Sequence, residues 1–221
     1  MQHFEQELDD LKQLLLAMAA KAKAAVAKAT RAVVERDDRL AEEVKAEDDV
    51  LDQLEIEVDD RAVLLLSKAP MASQLRLITV ALKVGQNLER IGDEATTIAR
   101  RALELTREPQ LKPYVDIPRL SHQVLAMIDD ALAAFVTRDV AKAAALVQQD
   151  KEIDELNRQL HRELSSFMVE DPRTITRCLS LMVISKSLER IADHASNIAE
   201  EVIFLFEARD IRHSGRSRPE G

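Results

Sequence analysis

Phe4, Leu8, Leu11, Leu15, Met18, Ala22, Ala25, Ala29 and Ala32 alternate steps of four and three residues. That spacing keeps side chains on one face of an α-helix. Arg36-Asp37-Asp38 interrupts the seam, and either aspartate can cap the next helix. A second stripe runs through Leu40, Val44, Leu51, Leu54, Val58, Ala62 and Leu65. Pro70 breaks the pattern between Ser67 and Ser73. A third stripe then runs through Leu75, Ile78, Leu82, Leu88, Ile91, Ala95, Ile98, Ala102 and Leu105.

The same pattern is then written again. Pro109, Pro113 and Pro118 form the densest proline cluster of the chain and predict a linker over residues 109–118. A fourth helix is expected through Leu120, Val124, Met127, Ala131 and Phe135, closed by Arg138-Asp139 as the first is closed by Arg36-Asp37. A fifth carries Leu146, Ile153, Leu156, Leu160, Leu164 and Phe167. Asp171-Pro172 places an N-cap and a first-turn proline before a sixth helix reaching to about Phe206. Residues 1–108 and 119–208 therefore read as two units, with a polar, loose tail over 209–221. Three long helices joined by short loops bury their stripes against one another, so the predicted class is all-α, two tandem three-helix bundles of six long helices. How the two bundles pack is not set by the pattern.

The duplication is sharpest at Leu88-Glu89-Arg90-Ile91-Gly92-Asp93, which returns as Leu188-Glu189-Arg190-Ile191-Ala192-Asp193, an offset of 100 residues. Composition agrees with helices: four glycines, six prolines and 3% aromatic residues leave little material for turns or sheets. A formal charge of −9 argues against a nucleic-acid partner, which calls for clustered lysine and arginine. Cys178 stands alone, so an intrachain disulfide is excluded, and a small buried apolar role suits it. The N-terminus lacks a basic segment followed by an apolar one, and the run from Leu14 to Ala20 is too short to span a bilayer. A soluble, cytoplasmic protein with no membrane insertion is the expectation.

Candidate chemistry lies in acids that interrupt the stripes. Glu89 and Asp93 flank the third stripe, and Glu189 and Asp193 flank the sixth. Asp48 stands between Val44 and Leu51 where an apolar residue belongs, and Asp150 stands the same way between Leu146 and Ile153. Asp52 and Asp154 come one turn later. Like charges four residues apart destabilise a helix by roughly 0.2–0.5 kcal/mol, and burial worsens this. Pairs meeting across adjacent helices call for a cation, and carboxylate oxygens select Mg²⁺, Mn²⁺, Ca²⁺ or iron. No cysteine-rich ligand set exists for structural zinc of the usual kind. The competing reading is that these acids are solvated, or neutralised by Arg90, Arg190 or Lys151. No glycine-rich phosphate loop and no nucleophile–histidine–acid motif is recognisable, so catalysis is not expected. His122 and His161 read as solvated histidines on helix faces, and His194, beside Asp193, as a polar surface residue with a ligand role as the alternative.

The duplicated Leu-Glu-Arg-Ile motif, the Asp48/Asp52 and Asp150/Asp154 pairs, Gln74-Leu75-Arg76-Leu77 and Asp210-Ile211-Arg212-His213 together resemble the PhoU family over essentially the whole chain. The resemblance implies two tandem three-helix bundles and a non-enzymatic regulator that restrains high-affinity phosphate uptake and phosphate-starvation signalling. The implied partners are the ATPase of the phosphate ABC transporter, the phosphate-sensing histidine kinase and a second copy in a homodimer. It also implies iron or another metal (Mn, Mg or Zn) bound through an (E/D)-x-x-x-D signature. Carried onto this chain, that signature gives Asp48, Asp52, Glu89 and Asp93 in the first unit, and Asp150, Asp154, Glu189 and Asp193 in the second. Arg90 and Arg190 are then expected to orient the acids. The alternative from another class is a carboxylate-bridged di-iron or iron-storage bundle. That chemistry usually employs Glu-x-x-His, and no glutamate here has histidine three residues later.

Overall fold

The computed structural model describes residues 2–68 and 71–207. Its elements are α1 (Gln2–Glu35), α2 (Asp38–Ala46), α3 (Asp48–Leu66), α4 (Ala72–Thr106), α5 (Asp116–Thr137), α6 (Val140–Glu170), a 3₁₀ turn at Pro172–Thr174, and α7 (Ile175–Glu207). Among the described residues there is no strand. The first bundle is α1 with α2–α3 and α4, and the second is α5 with α6 and α7. The break expected at Pro70, the tail over 209–221 and the Asp210–His213 motif lie outside the described residues.

Two boundaries differ from the sequence expectation. The second helix of the first bundle is divided at Glu47, a single turn residue with helical backbone angles (φ −90°, ψ −2°) and no side-chain cap. Its counterpart α6 runs unbroken through Asp150. Pro118 belongs to the first turn of α5 and not to the linker. The first four amides of a helix have no partner within it, so proline there forfeits no hydrogen bond. Gln74-Leu75-Arg76-Leu77 likewise lies inside α4, where the Gln74 side chain accepts from the Met71 amide at 2.9 Å.

The turn signals match in both bundles. Asp37 accepts from the Arg39 and Leu40 amides at 2.9 and 3.3 Å, and Asp139 accepts from the Lys142 amide at 2.9 Å. Arg36 and Arg138, just before these caps, are left-handed with φ of 55° and 59°. Such a conformation costs a non-glycine residue about 1–2 kcal/mol. In the first bundle the cost is offset where Arg36 Nη2 donates to the carbonyls of Leu105, Thr106 and Glu108 at 2.8, 3.1 and 2.5 Å, closing the end of α4.

The apolar stripes meet in one continuous core, from Leu11, Leu15 and Met18 through Leu88, Ile91 and Ile98 to Met127, Leu188 and Ile198. α4 and α7 pack along their lengths, and α1 touches α5, so the two bundles lie side by side. Polar pairs cross the α4–α7 seam: Lys83–Glu201 at 3.0 Å, Asn87–His194 at 3.0 Å, Glu94–Arg190 at 3.1 Å and Glu104–Ser180 at 2.9 Å. Numbers rise on one helix as they fall on the other, so the two long helices are antiparallel. Cys178 is fully buried, as its apolar reading requires. No described helix is long and apolar enough to cross a membrane.

Candidate functional site

The eight sequence-predicted acids form two clusters, one in each bundle, at the contact between its second helix and its last. α3 carries Asp48 and Asp52 toward Glu89 and Asp93 of α4, and α6 carries Asp150 and Asp154 toward Glu189 and Asp193 of α7. Both clusters sit beside the core, because the acids take positions at the edge of an apolar stripe. α3 and α4 approach closely at Gly92, where an added Cβ would stand 2.4 Å from Leu51 Cδ1 and oblige the end of that side chain to shift. The second bundle accepts Ala192 at the matching place, with Ile153 in the position of Leu51.

In the first cluster the Asp48 Oδ1 accepts from Thr96 Oγ1 at 2.9 Å. Arg90 reaches Glu89 at 3.3 Å and Asp93 at 3.2 Å, the orienting role expected of it. Glu55 of α3, which the sequence pattern did not single out, joins the group one turn below Asp52. Burial, then the neighbouring Asp93, pushes the Glu89 carboxyl up to about 7 despite Arg90. Partial burial and Asp48 raise Asp52, and burial with Asp59 raises Glu55. Asp59 Oδ1 is sealed from solvent with no partner among the described residues. The cluster opens onto a polar hollow of ≈ 370 Å³ lined by Glu55, Gln86, Asn87, Glu89 and Arg90.

The second cluster is wired differently. Lys186 Nζ donates to Glu189 Oε1 at 2.6 Å, and Asn157 Nδ2 donates to Glu189 Oε2 at 2.6 Å. Ser185 Oγ donates to Asn157 Oδ1 at 2.7 Å, and His161 Nε2 lies 3.0 Å from the same hydroxyl. Burial and then Asp193 raise Asp150 to about 6. Burial and Glu189 raise both Asp154 and Asp193. Asp150 Oδ1 is sealed without a partner, as is Ser196 Oγ at the position matching Thr96.

Four expectations are corrected. Arg190 does not orient Glu189 or Asp193 but reaches across the seam to Glu94, because α7 turns that side chain toward α4. Lys151 bonds Gln148 at 3.4 Å and not the acids, while Lys186 neutralises Glu189. The signal for Lys186 was its position three residues before Glu189 on the same helix. His161 is half-buried in the Ser185–Asn157 network and is not a solvated face, and His194 is half-buried in the seam, where desolvation lowers its pKa.

Comparison with known proteins fits this duplicated arrangement. The PhoU domain model matches residues 15–102 and again 117–202. The chain belongs to the PhoU family. The phosphate-specific transport system accessory protein PhoU homolog of Pseudomonas putida is 43% identical over 98% of this chain and 86% of its own length. The Aquifex aeolicus protein of the same description is 40% identical, over 94% of each chain. Among solved structures, PhoU from Pseudomonas aeruginosa superposes with a TM-score of 0.90 at 41% identity, covering 93% of this chain and 100% of its own. The phosphate transport system regulatory protein PhoU from Streptococcus pneumoniae gives 0.89 at 28% identity, covering 94% and 99%.

The donor chemistry of both clusters suits a hard cation, since the facing groups are carboxylates, and in the second Asp150 Oδ1 is sealed with no partner among the described residues. Among the described residues no three acids, imidazoles or thiols yet stand close enough to share one ion. The residues that would hold a metal are Asp48, Asp52, Glu89 and Asp93 in the first cluster, or Asp150, Asp154, Glu189 and Asp193 in the second.

Proposed function

We propose that this chain is a non-enzymatic cytoplasmic regulator of phosphate homeostasis, an accessory protein that restrains high-affinity phosphate uptake and starvation signalling when phosphate is plentiful. The observation that carries the reading is the match to phosphate-transport accessory proteins over nearly the whole chain in both sequence and fold. Its partners are the ATPase of the phosphate ABC transporter and the phosphate-sensing histidine kinase, and it works as a homodimer. A helical surface that binds one partner differently according to the state of the other couples them by a free energy. Hard metal ions in the two carboxylate clusters pin the second helix of each bundle to the last, fixing the surface presented to those partners.

The di-iron or iron-storage alternative is not favoured, since the relatives are named as transport accessory proteins and the Glu-x-x-His ligand pattern is lacking. The test is a pull-down of the transporter ATPase and the kinase with the full chain at high and low phosphate, beside a starvation-promoter reporter in a deletion strain. Binding to both partners and a reporter active in abundant phosphate are the expected results. Binding to neither partner at either phosphate level overturns the reading.

A further inference from the structure

The outward face of α3 has no equal in the duplicated bundle. Val50, Ile56, Val63 and Leu64 turn toward solvent there, 38%, 60%, 63% and 56% exposed. Helical rotation puts the four on one arc, with Asp49, Glu57 and Asp60 standing between them. Single exposed apolar residues are ordinary, whereas several along one face mark an interaction surface. The second bundle builds the same face for water. Aligned through Asp48 and Asp150, the apolar places fall in α6 to Glu152, Arg158, Ser165 and Ser166, all exposed. Lys151, Gln159 and Arg162 take the places of the three acids. Glu155, on the same face, pairs with Arg158 and Arg162 at 3.1 and 3.4 Å. On α3 Glu57 pairs with Arg61, and Asp49 and Asp60 make no ion pair among the described residues. Asp48–Leu66 carries seven acids and one base, against five acids and three bases over residues 150–168. At the end of the arc Leu64 borders a hollow of ≈ 150 Å³, shared with Arg61 and with Glu7 and Asp10 of α1.

We infer that the solvent face of α3 docks a cationic amphipathic helix of a partner protein, laid along Val50, Ile56, Val63 and Leu64. The inference rests on the partner-binding part of the function proposed above and assigns it a surface. Val50 and Leu64 lie 14 residues apart, about 21 Å along the axis, so a partner helix of about four turns spans the arc. Apolar side chains of that helix, three and four residues apart, cover Ile56 and Val63 and enter the hollow beside Leu64. Its lysines or arginines meet Asp49 and Asp60, and at one end Glu7 and Asp10. Such charge pairing speeds encounter and sets the orientation of the helix. A second copy does not fit the same face, because a two-fold contact of α3 on α3 sets acids against acids. An anionic lipid surface is repelled for the same reason.

The probe is a fluorescein-labelled helical peptide of leucine and lysine with one apolar stripe, titrated against the full chain by anisotropy. A leucine–glutamate peptide of the same pattern is the control. Saturable binding of the lysine peptide alone, weakened by salt, is the expected result. Ile56→Arg/Val63→Ser/Leu64→Ser, which writes the α6 face onto α3, is expected to weaken it about tenfold or more. The reciprocal Arg158→Ile/Arg162→Asp/Ser165→Val/Ser166→Leu chain is expected to gain a second site while keeping the wild-type circular dichroism. Equal affinity in wild type and the α3 variant, or equal binding of the glutamate peptide, overturns the proposal. So does a wild-type dimer that the α3 variant dissociates, which makes the face a contact between copies. If wild type and the α3 variant capture the transporter ATPase and the kinase equally, the docking face is overturned and the regulatory role stands. If wild type captures neither, the regulatory role falls, and the peptide titration still decides the face.

Discussion

The first bundle faces its last helix with acids that have few partners, whereas the second faces it with acids already answered by a lysine, an asparagine, a serine and a histidine. Apart from the break at Glu47, the backbones around them are alike: the same left-handed arginine and aspartate cap open the second helix, and the same Leu-Glu-Arg-Ile stretch supplies the opposing face. A duplicated scaffold has thus kept its packing and let its polar margin diverge. Burial drives the difference in consequence. Glu189, 9% exposed, is neutralised where it stands, while the Glu89 carboxyl is held near 7 by desolvation and by Asp93. The second cluster is self-sufficient and the first is strained by its own charge.

The largest effect should come from removing the internal cation. Lys186→Ala leaves Glu189 buried beside Asp154 without its ammonium, and should lower stability by about 2 kcal/mol in denaturant melts. Gln86→Ala, its counterpart, should stay within about 0.5 kcal/mol. Equal losses would show that the two clusters are energetically alike after all.

Packing gives the next contrast. Gly92→Ala places a methyl group against Leu51 Cδ1, and overpacking of about 1–3 kcal/mol is partly offset by about 1 kcal/mol of helix propensity. A net loss of about 1 kcal/mol is expected, restored by adding Leu51→Val. Ala192→Gly should also destabilise, by propensity alone, and Ile153→Val should not rescue it. Thermal melts of the four variants decide the point.

Glu89→Gln should stabilise the metal-free protein by about 1 kcal/mol at pH 8, because wild type there holds an ionised carboxylate that its surroundings disfavour. The native group titrates at about 7 against an ordinary 4.5, so wild-type stability from this group is full below about 4.5 and falls as pH rises through 7. The advantage of the glutamine variant should therefore shrink to nothing as pH drops toward 4.5. Melting temperatures in chelator across that range test it, and an advantage that grows on acidification would contradict the assignment.

The smallest contrast concerns two hydroxyls. Thr96→Val removes the 2.9 Å bond to Asp48 and should cost about 0.5–1 kcal/mol. Ser196→Ala should be nearly neutral, since its hydroxyl has no partner among the described residues.

The helices, their duplication and the eight acids are legible in the chain alone. Helical periodicity, capping aspartates and the offset of 100 residues are local signals, each readable over a turn or two of chain. The division at Glu47 escaped that reading because one turn residue with helical angles leaves no mark in a four-and-three pattern. Tertiary structure decided which groups answer the acids. Asn157 serves Glu189 because α6 and α7 bring them together at 2.6 Å, whereas Lys186 reaches it along α7 itself, and Arg190 is lost to that cluster because the antiparallel seam offers it Glu94. Such choices depend on distances between helices far apart in sequence and on the water excluded between them. Charge neutralisation is settled there, at the contact between elements, and not along any single one.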